Sequence, residues 1–294
     1  MELRQLQYFQ SVGQLLSITK TADKFHIAQP SITTAIQNLE RELGVQLIDR
    51  SHRQIMLTTE GHIFLQKVDD ILSRLSDSVR EMNDYGILSK GHIRLGITPT
   101  TSGLIFPRIF TEFRAHYPQI DLTSDEEGSL TVIKLLELGE LEIGIIILSE
   151  LSSNLEVLPV TIEQVMLCLP QNHPLACCQN VPFFSLENDP FLLFKEDTYL
   201  RQIILQECDK NHINPKVAFS SSQVETIVAL VREGAGITFL LESIARKRTD
   251  ITCLPLAEPL FVKMGLAWSK EKYLSKAART FIDFVSKRQR QLPR

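Results

Sequence analysis

Residues 17–61 constrain this chain more than any other stretch, because two short amphipathic helical patterns stand only three residues apart. Apolar spacing predicts the first helix over residues 19–25, with Ile18, Ala22 and Phe25 as its stripe. The second is predicted over Gln29–Leu43, where Ile32, Ala35, Ile36, Leu39 and Leu43 recur at helical spacing. Pro30 suits the first turn, where its missing N–H costs nothing, and Gly44 is the expected stop. With only His26, Ile27 and Ala28 between them, the helices cannot lie antiparallel at length. They must cross steeply, as in a helix-turn-helix.

The second helix carries another face. Gln29, Ser31, Thr33, Thr34 and Gln37 are short or amide-bearing and are not needed for packing, which suits base edges and phosphates in a major groove. Polarity alone supports an ordinary solvated face equally well; the following segment tips the balance. Arg50-Ser51-His52-Arg53-Gln54 separates two apolar runs, 45–48 and 55–57, and reads as a hairpin wing with arginines at its tip. Arginine on a narrow tip fits a minor groove or flanking phosphates. Thr58-Thr59-Glu60-Gly61 then supplies a threonine cap and an acidic first turn for another helix.

Leu3-Arg4-Gln5-Leu6-Gln7-Tyr8-Phe9, Thr21-Ala22-Asp23, Ile27-Ala28-Gln29-Pro30-Ser31, Leu39-Glu40-Arg41-Glu42-Leu43-Gly44, Leu47-Ile48-Asp49-Arg50 and Leu57-Thr58-Thr59-Glu60-Gly61 together resemble the LysR-type transcriptional regulators. The resemblance implies a winged helix-turn-helix DNA-binding domain over residues 1–58. It implies DNA contacts from Thr21, Gln29, Pro30, Ser31, Thr33, Thr34 and Gln37, with Gln29, Pro30, Ser31, Thr33 and Thr34 in the major groove, and from Arg50 and Arg53 at the minor groove or backbone. Thr34 departs from the arginine common there in relatives, so operator specificity cannot be borrowed. Charge would not have found this: residues 1–58 hold six Lys/Arg against five Asp/Glu, a net of +1 and no basic footprint. Two such heads are therefore needed for useful affinity.

After a first helix over residues 3–14, the longest pattern is a linker helix over residues 59–88, free of Pro throughout and of Gly between its first and last turns. Phe64, Val68, Ile71, Leu75, Val79 and Met82 form a narrow apolar seam on a charged rod, which predicts self-association to a homodimer or homotetramer. The alternative is docking on its own domain. Paired heads on one axis match a palindromic promoter site.

A hinge at Tyr85-Gly86-Ile87-Leu88-Ser89-Lys90-Gly91 closes a linker segment of residues 59–90. Beyond it strands alternate with helices through residues 91–294, which predicts α/β architecture with a parallel, doubly wound sheet. Two lobes are expected, lobe I about 91–161 and 266–294 and lobe II about 162–265, resembling the periplasmic-binding-protein-like effector domain of the LysR family. Ligands of such folds lie where the lobes face each other. Hydroxyl-rich helix starts supply the candidate effector contacts Thr98, Thr100, Thr101, Ser102, Ser129, Thr198, Tyr199, Arg201 and Ser222. Ile147 is included as the position where some members grip a carboxylate with arginine. A small organic acid or anion is the expected effector.

Several function classes are excluded. Cysteines at 168, 177, 178, 208 and 253 have no metal-binding or disulfide-framework spacing. Some relatives sense peroxide with a cysteine pair; Cys177, Cys178 and Cys208 could be cast so, but idle thiols are expected. There is no HExxH, GxSxG, P-loop or GxGxxG motif, so neither catalysis nor a metal or cofactor is expected. No secretory signal or membrane-length apolar run occurs, which predicts a cytoplasmic protein with no membrane partner. The expected partners are double-stranded promoter DNA, a second copy and a small-molecule effector, with RNA polymerase a further candidate. A competing reading makes residues 91–294 a binding or catalytic module whose N-terminal helices serve only assembly.

Overall fold

A computed structural model of the protein describes residues 1–50, 55–85, 91–148 and 154–289. The chain divides into two compact units, Met1–Met82 and Asn83–Arg294.

The first unit contains α1 (Leu3–Leu15), α2 (Ile18–Phe25), α3 (Gln29–Leu43), β1 (Ile48–Asp49), β2 (Met56–Leu57) and nearly all of α4 (Thr59–Tyr85). Ser17 caps α2 by accepting the Lys20 N–H at 3.2 Å. His26 ends it in the left-handed region at φ 53°, where the Ile27 N–H returns to Ala22 O. This turn redirects the chain into α3, whose own stop is Gly44 at φ 73°. The buried stripes meet in one core of Phe9, Val12, Ile18, Ala22, Ile32, Ile36, Leu39, Leu47 and Val68. Antiparallel β1 and β2 form the predicted wing, with Ile48 opposite Leu57. Thr58 Oγ1 accepts the Gly61 N–H at 2.9 Å and opens α4. A Cβ at Gly61 would lie 2.1 Å from Leu47 O, so only glycine lets α4 approach β1 this closely.

The second unit runs β3 (His92–Ile97), α5 (Pro99–Ser102), α6 (Phe106–His116), β4 (Asp121–Glu126), α7 (Ser129–Leu138), β5 (Ile143–Leu148) and β6 (Leu155–Leu169). It continues with β7 (Pro190–Phe194), α8 (Tyr199–Lys210), β8 (Lys216–Ser221), α9 (Val224–Arg232), β9 (Thr238–Leu241), α10 (Glu242–Ala245), β10 (Thr252–Ser269) and α11 (Lys276–Gln289). The main sheet has the order β4-β3-β5-β10-β6-β9, and β7 and β8 form a separate parallel pair.

The wholly parallel sheet expected from the alternation is corrected to a mixed one. β3 is parallel to β4 and β5, but β10 is antiparallel to both β5 and β6, and β6 to β9. β10 runs 18 residues and β6 runs 15, longer than the short strands of a simple alternation. Pro255 and Pro259, which donate no N–H, are absorbed by the ladder through an irregularity between Pro255 and Leu260. These two long strands carry the chain from lobe I into lobe II and back. One core, around Ile93, Leu95, Phe113, Ile145 and Phe281, lies on the lobe I side. Another, around Leu167, Phe191, Ile204, Val228 and Phe239, lies in lobe II.

Candidate functional site

On α3 the structure separates packing from display. Gln29, Pro30, Ser31, Thr34 and Gln37 are exposed, and Thr33 is half-buried with its hydroxyl donated back to Gln29 O. The exposed groups lie within the first nine of the 15 residues of α3. Thr21 is a correction: it is fully buried, and its Oγ1 donates to Ser17 O at 2.9 Å within α2. It stabilises the first turn rather than presenting a hydroxyl to a ligand.

Arg50 is also partly reassigned, because its Nη2 donates to Glu40 Oε2 at 3.0 Å. Glu40 is buried, and its Oε1 accepts the N–H groups of Leu47 and Ile48 at 2.9 and 3.1 Å. This buried carboxylate thus fastens the end of α3 to the wing. Arg53 lies outside the described residues.

The seam of α4 splits in two. Val68 is fully buried and Phe64 is half-buried against Phe9, with ring centroids 5.5 Å apart. Both therefore belong to the core of their own unit, which corrects their assignment to a free pairing face. Ile71, Leu75, Val79 and Met82 remain 45, 42, 54 and 61% exposed. Spaced by four, four and three, they form an uncovered apolar strip of the kind a helical partner covers.

In the second unit a cavity of about 710 Å³ lies between the lobes. Of the predicted effector contacts, Ser102, Thr198 and Ser222 line it. The others do not. Thr98, Thr100 and Thr101 are buried and bond one another, with Thr101 Oγ1 also donating to Ile145 O at 2.7 Å. They tie α5 to the sheet. Ile147 is buried in the apolar core, and Arg201 is occupied by Phe194 O and Ser220 Oγ at 2.9 and 2.8 Å. Tyr199 packs half-buried against the lobe II core. Ser129 is buried, and its Oγ has no hydrogen-bond partner among the described residues.

Charged groups that the sequence reading missed dominate the walls: Glu126, Glu127, Asp197 and Glu225 against Lys195, Lys247 and Arg248. Arg248 pairs with Glu225, and this hydrogen-bonded partner holds the Glu225 carboxyl below its ordinary range. Asp197, from lobe II, reaches the start of α7 in lobe I. Its Oδ2 accepts the Gly128 N–H at 3.1 Å and the Thr131 hydroxyl at 3.2 Å, and its carbonyl takes the Leu130 N–H. The free N–H groups and dipole of a helix start favour this carboxylate. A Cβ at Gly128 would meet Asp197 Cγ at 2.2 Å, so glycine is required for the approach. The cluster Lys195-Glu196-Asp197 at a strand-to-helix turn was the sequence signal that could have flagged it.

Among the described residues, no group of three or more His, Cys, Asp or Glu is placed to hold a metal ion. No described helix is long and apolar enough to cross a membrane.

Comparison with known proteins agrees with this architecture over nearly the whole chain. The family model of bacterial regulatory helix-turn-helix proteins of the lysR family matches residues 3–62, and that of the LysR substrate binding domain matches residues 88–290. An uncharacterized HTH-type transcriptional regulator of Bacillus subtilis, YwbI, is 32% identical over 286 residues, covering 96% of this chain and 95% of the relative. The crystal structure of HinK, a LysR family transcriptional regulator from Pseudomonas aeruginosa, is 27% identical with a TM-score of 0.59, covering 99% of both chains. The fold of full-length CbnR in complex with its target DNA is similar at 22% identity, with a TM-score of 0.64 and coverage of 98% of this chain and 100% of that one. A regulator's reading head and effector domain in one chain leave no room for the alternative of an enzyme with assembly helices: the chain belongs to the LysR family of DNA-binding transcriptional regulators.

Proposed function

We propose that this regulator binds a palindromic promoter site as a dimer or tetramer and answers a small organic acid taken up between the lobes. On this reading residues 1–58 read DNA, residues 59–90 pair through Ile71, Leu75, Val79 and Met82, and residues 91–294 receive the effector. Gln29, Pro30, Ser31, Thr34 and Gln37 face the major groove, and Arg53 the minor groove or backbone. The protein acts in the cytoplasm, with RNA polymerase as a further partner.

The observation that carries the effector reading is Asp197 at the start of α7: the cleft already holds one carboxylate at a helix start, on the Gly128 N–H and the Thr131 hydroxyl, bridging the lobes. An incoming acid takes that place, with Lys195 and Lys247 nearby to offset its charge. Displacing Asp197 exchanges an internal bridge for a ligand bridge, and the ligand shifts the lobe equilibrium only by its differential affinity. Binding of small carboxylates to the full chain, followed by thermal shift and calorimetry, tests this. The Asp197→Ala protein should bind the same acid more tightly, because the competing carboxylate is gone. Carboxylates that stabilise neither protein would remove the proposal.

A further inference from the structure

Cys168 and Cys253 stand directly opposite each other on the antiparallel strands β6 and β10, and their sulfurs are 2.8 Å apart. That is closer than ordinary non-bonded sulfur contact, although both are free thiols. Directly opposed antiparallel residues have Cα separations of about 4.5 or 5.5 Å, and both values fall within the range a disulfide spans. The flanking register, Thr252 with Leu169 and Leu254 with Leu167, is regular on both sides, so bonding requires no strand slip.

We propose that Cys168 and Cys253 are a reversible thiol–disulfide pair, an oxidation site on the two strands by which the chain enters and leaves lobe II. The two thiols have different roles. Cys253 is partly exposed, and its thiol is held below its ordinary range by the Cys168 hydrogen bond and by the charge of Arg248. Cys168 is fully buried, and burial, followed by the Cys253 hydrogen bond, pushes its thiol up. The Cys253 thiolate attacks one sulfur of a small organic disulfide, whose S–S bond breaks and releases one thiolate. The Cys168 sulfur then attacks the Cys253 sulfur of the mixed disulfide, its proton passing to the departing second thiolate. Two protein thiols lose two electrons, and the oxidant leaves as two thiols. The resulting bond closes a loop over most of lobe II, since the partners are 85 residues apart. Cys177 and Cys178, the exposed neighbours that drew notice in the sequence, take no part.

The test uses the full chain carrying Cys177→Ser and Cys178→Ser, which leaves Cys168, Cys208 and Cys253, treated with bis(2-hydroxyethyl) disulfide. Alkylatable thiols should fall from three to one, a peptide pair linking 168 to 253 should appear by mass spectrometry, and a reductant should restore all three. Melting temperature should rise on oxidation, because the closed loop restricts the unfolded chain. Adding Cys168→Ser should trap a stable mixed disulfide on Cys253, whereas adding Cys253→Ser should abolish reaction. Three thiols still free after treatment, or a cross-link through Cys208, would overturn the pair.

Discussion

Arg50 donates to Glu40 across the end of α3, Nη2 to Oε2 at 3.0 Å, while the other carboxylate oxygen of Glu40 holds the first N–H groups of the wing. The arginine that the sequence offered as a DNA contact and this glutamate are therefore one unit. Their joint effect is to set the angle at which the wing leaves the helix that carries Gln29 and Ser31.

Removing the carboxylate should be costly. Glu40→Ala leaves two N–H groups and Arg50 unpaired and is expected to destabilise the first unit by about 2–4 kcal/mol. Glu40→Gln keeps an acceptor for Leu47 and Ile48 and should cost less. Thermal melting, with amide exchange at Leu47 and Ile48, distinguishes the two.

Thr21 and Gln29 should behave oppositely. Gln29→Ala is expected to weaken promoter binding about 5- to 100-fold without changing the melting temperature. Thr21→Val deletes an internal hydrogen bond and should cost about 1 kcal/mol of stability, with affinity following the folded fraction. Gel-shift titration at fixed salt, run beside a melting curve, separates the roles; an unstable Gln29→Ala protein would place that residue in the fold.

Along α4, Leu75→Asp or Val79→Asp should abolish pairing while leaving each chain folded, read by sedimentation at several concentrations. Val68→Ala should do the reverse, costing about 2–3 kcal/mol by opening space in the core. Unchanged association in both Asp variants would show that the strip is covered by something other than a second copy.

Cys208 predicts a pH dependence. Burial first, then the carboxylates of Asp209 and Glu207, push its thiol up to about 12, against about 8.5 for an unfolded cysteine. The raised value favours the protonated thiol in the folded chain. Its contribution is fully present below about pH 8.5 and is lost as pH rises towards 12, by at most about 1.4 kcal/mol per pH unit. The stability of the native protein relative to Cys208→Ala should therefore fall between pH 8.5 and 10.5 in urea titrations. A constant difference would show that the thiol titrates normally in the fold.

Legibility followed the strength of local signals. The limits of α3 were readable because apolar period, Pro30 in the first turn and a glycine stop coincide there. The lengths of β6 and β10 were not, because Pro159, Pro255 and Pro259 are loop signals that long-range ladder partners override. The hydroxyls of Thr98, Thr100 and Thr101 could not be told from ligand groups, since an internal hydrogen bond and an external one need the same side chain.

Residue order alone determined that a steeply crossed helix pair carries a polar face, that a wing and a long helix follow, and that an α/β region comes after, since each depends on periodicity and stop signals within a few residues. Only tertiary structure decided which groups face the cleft, because Gly128, Asp197 and Arg248 are distant in the chain and meet through the pairing of β6 with β10. Only tertiary structure likewise divided the α4 seam into buried Val68 and uncovered Val79, for helical spacing defines a face but not what lies against it.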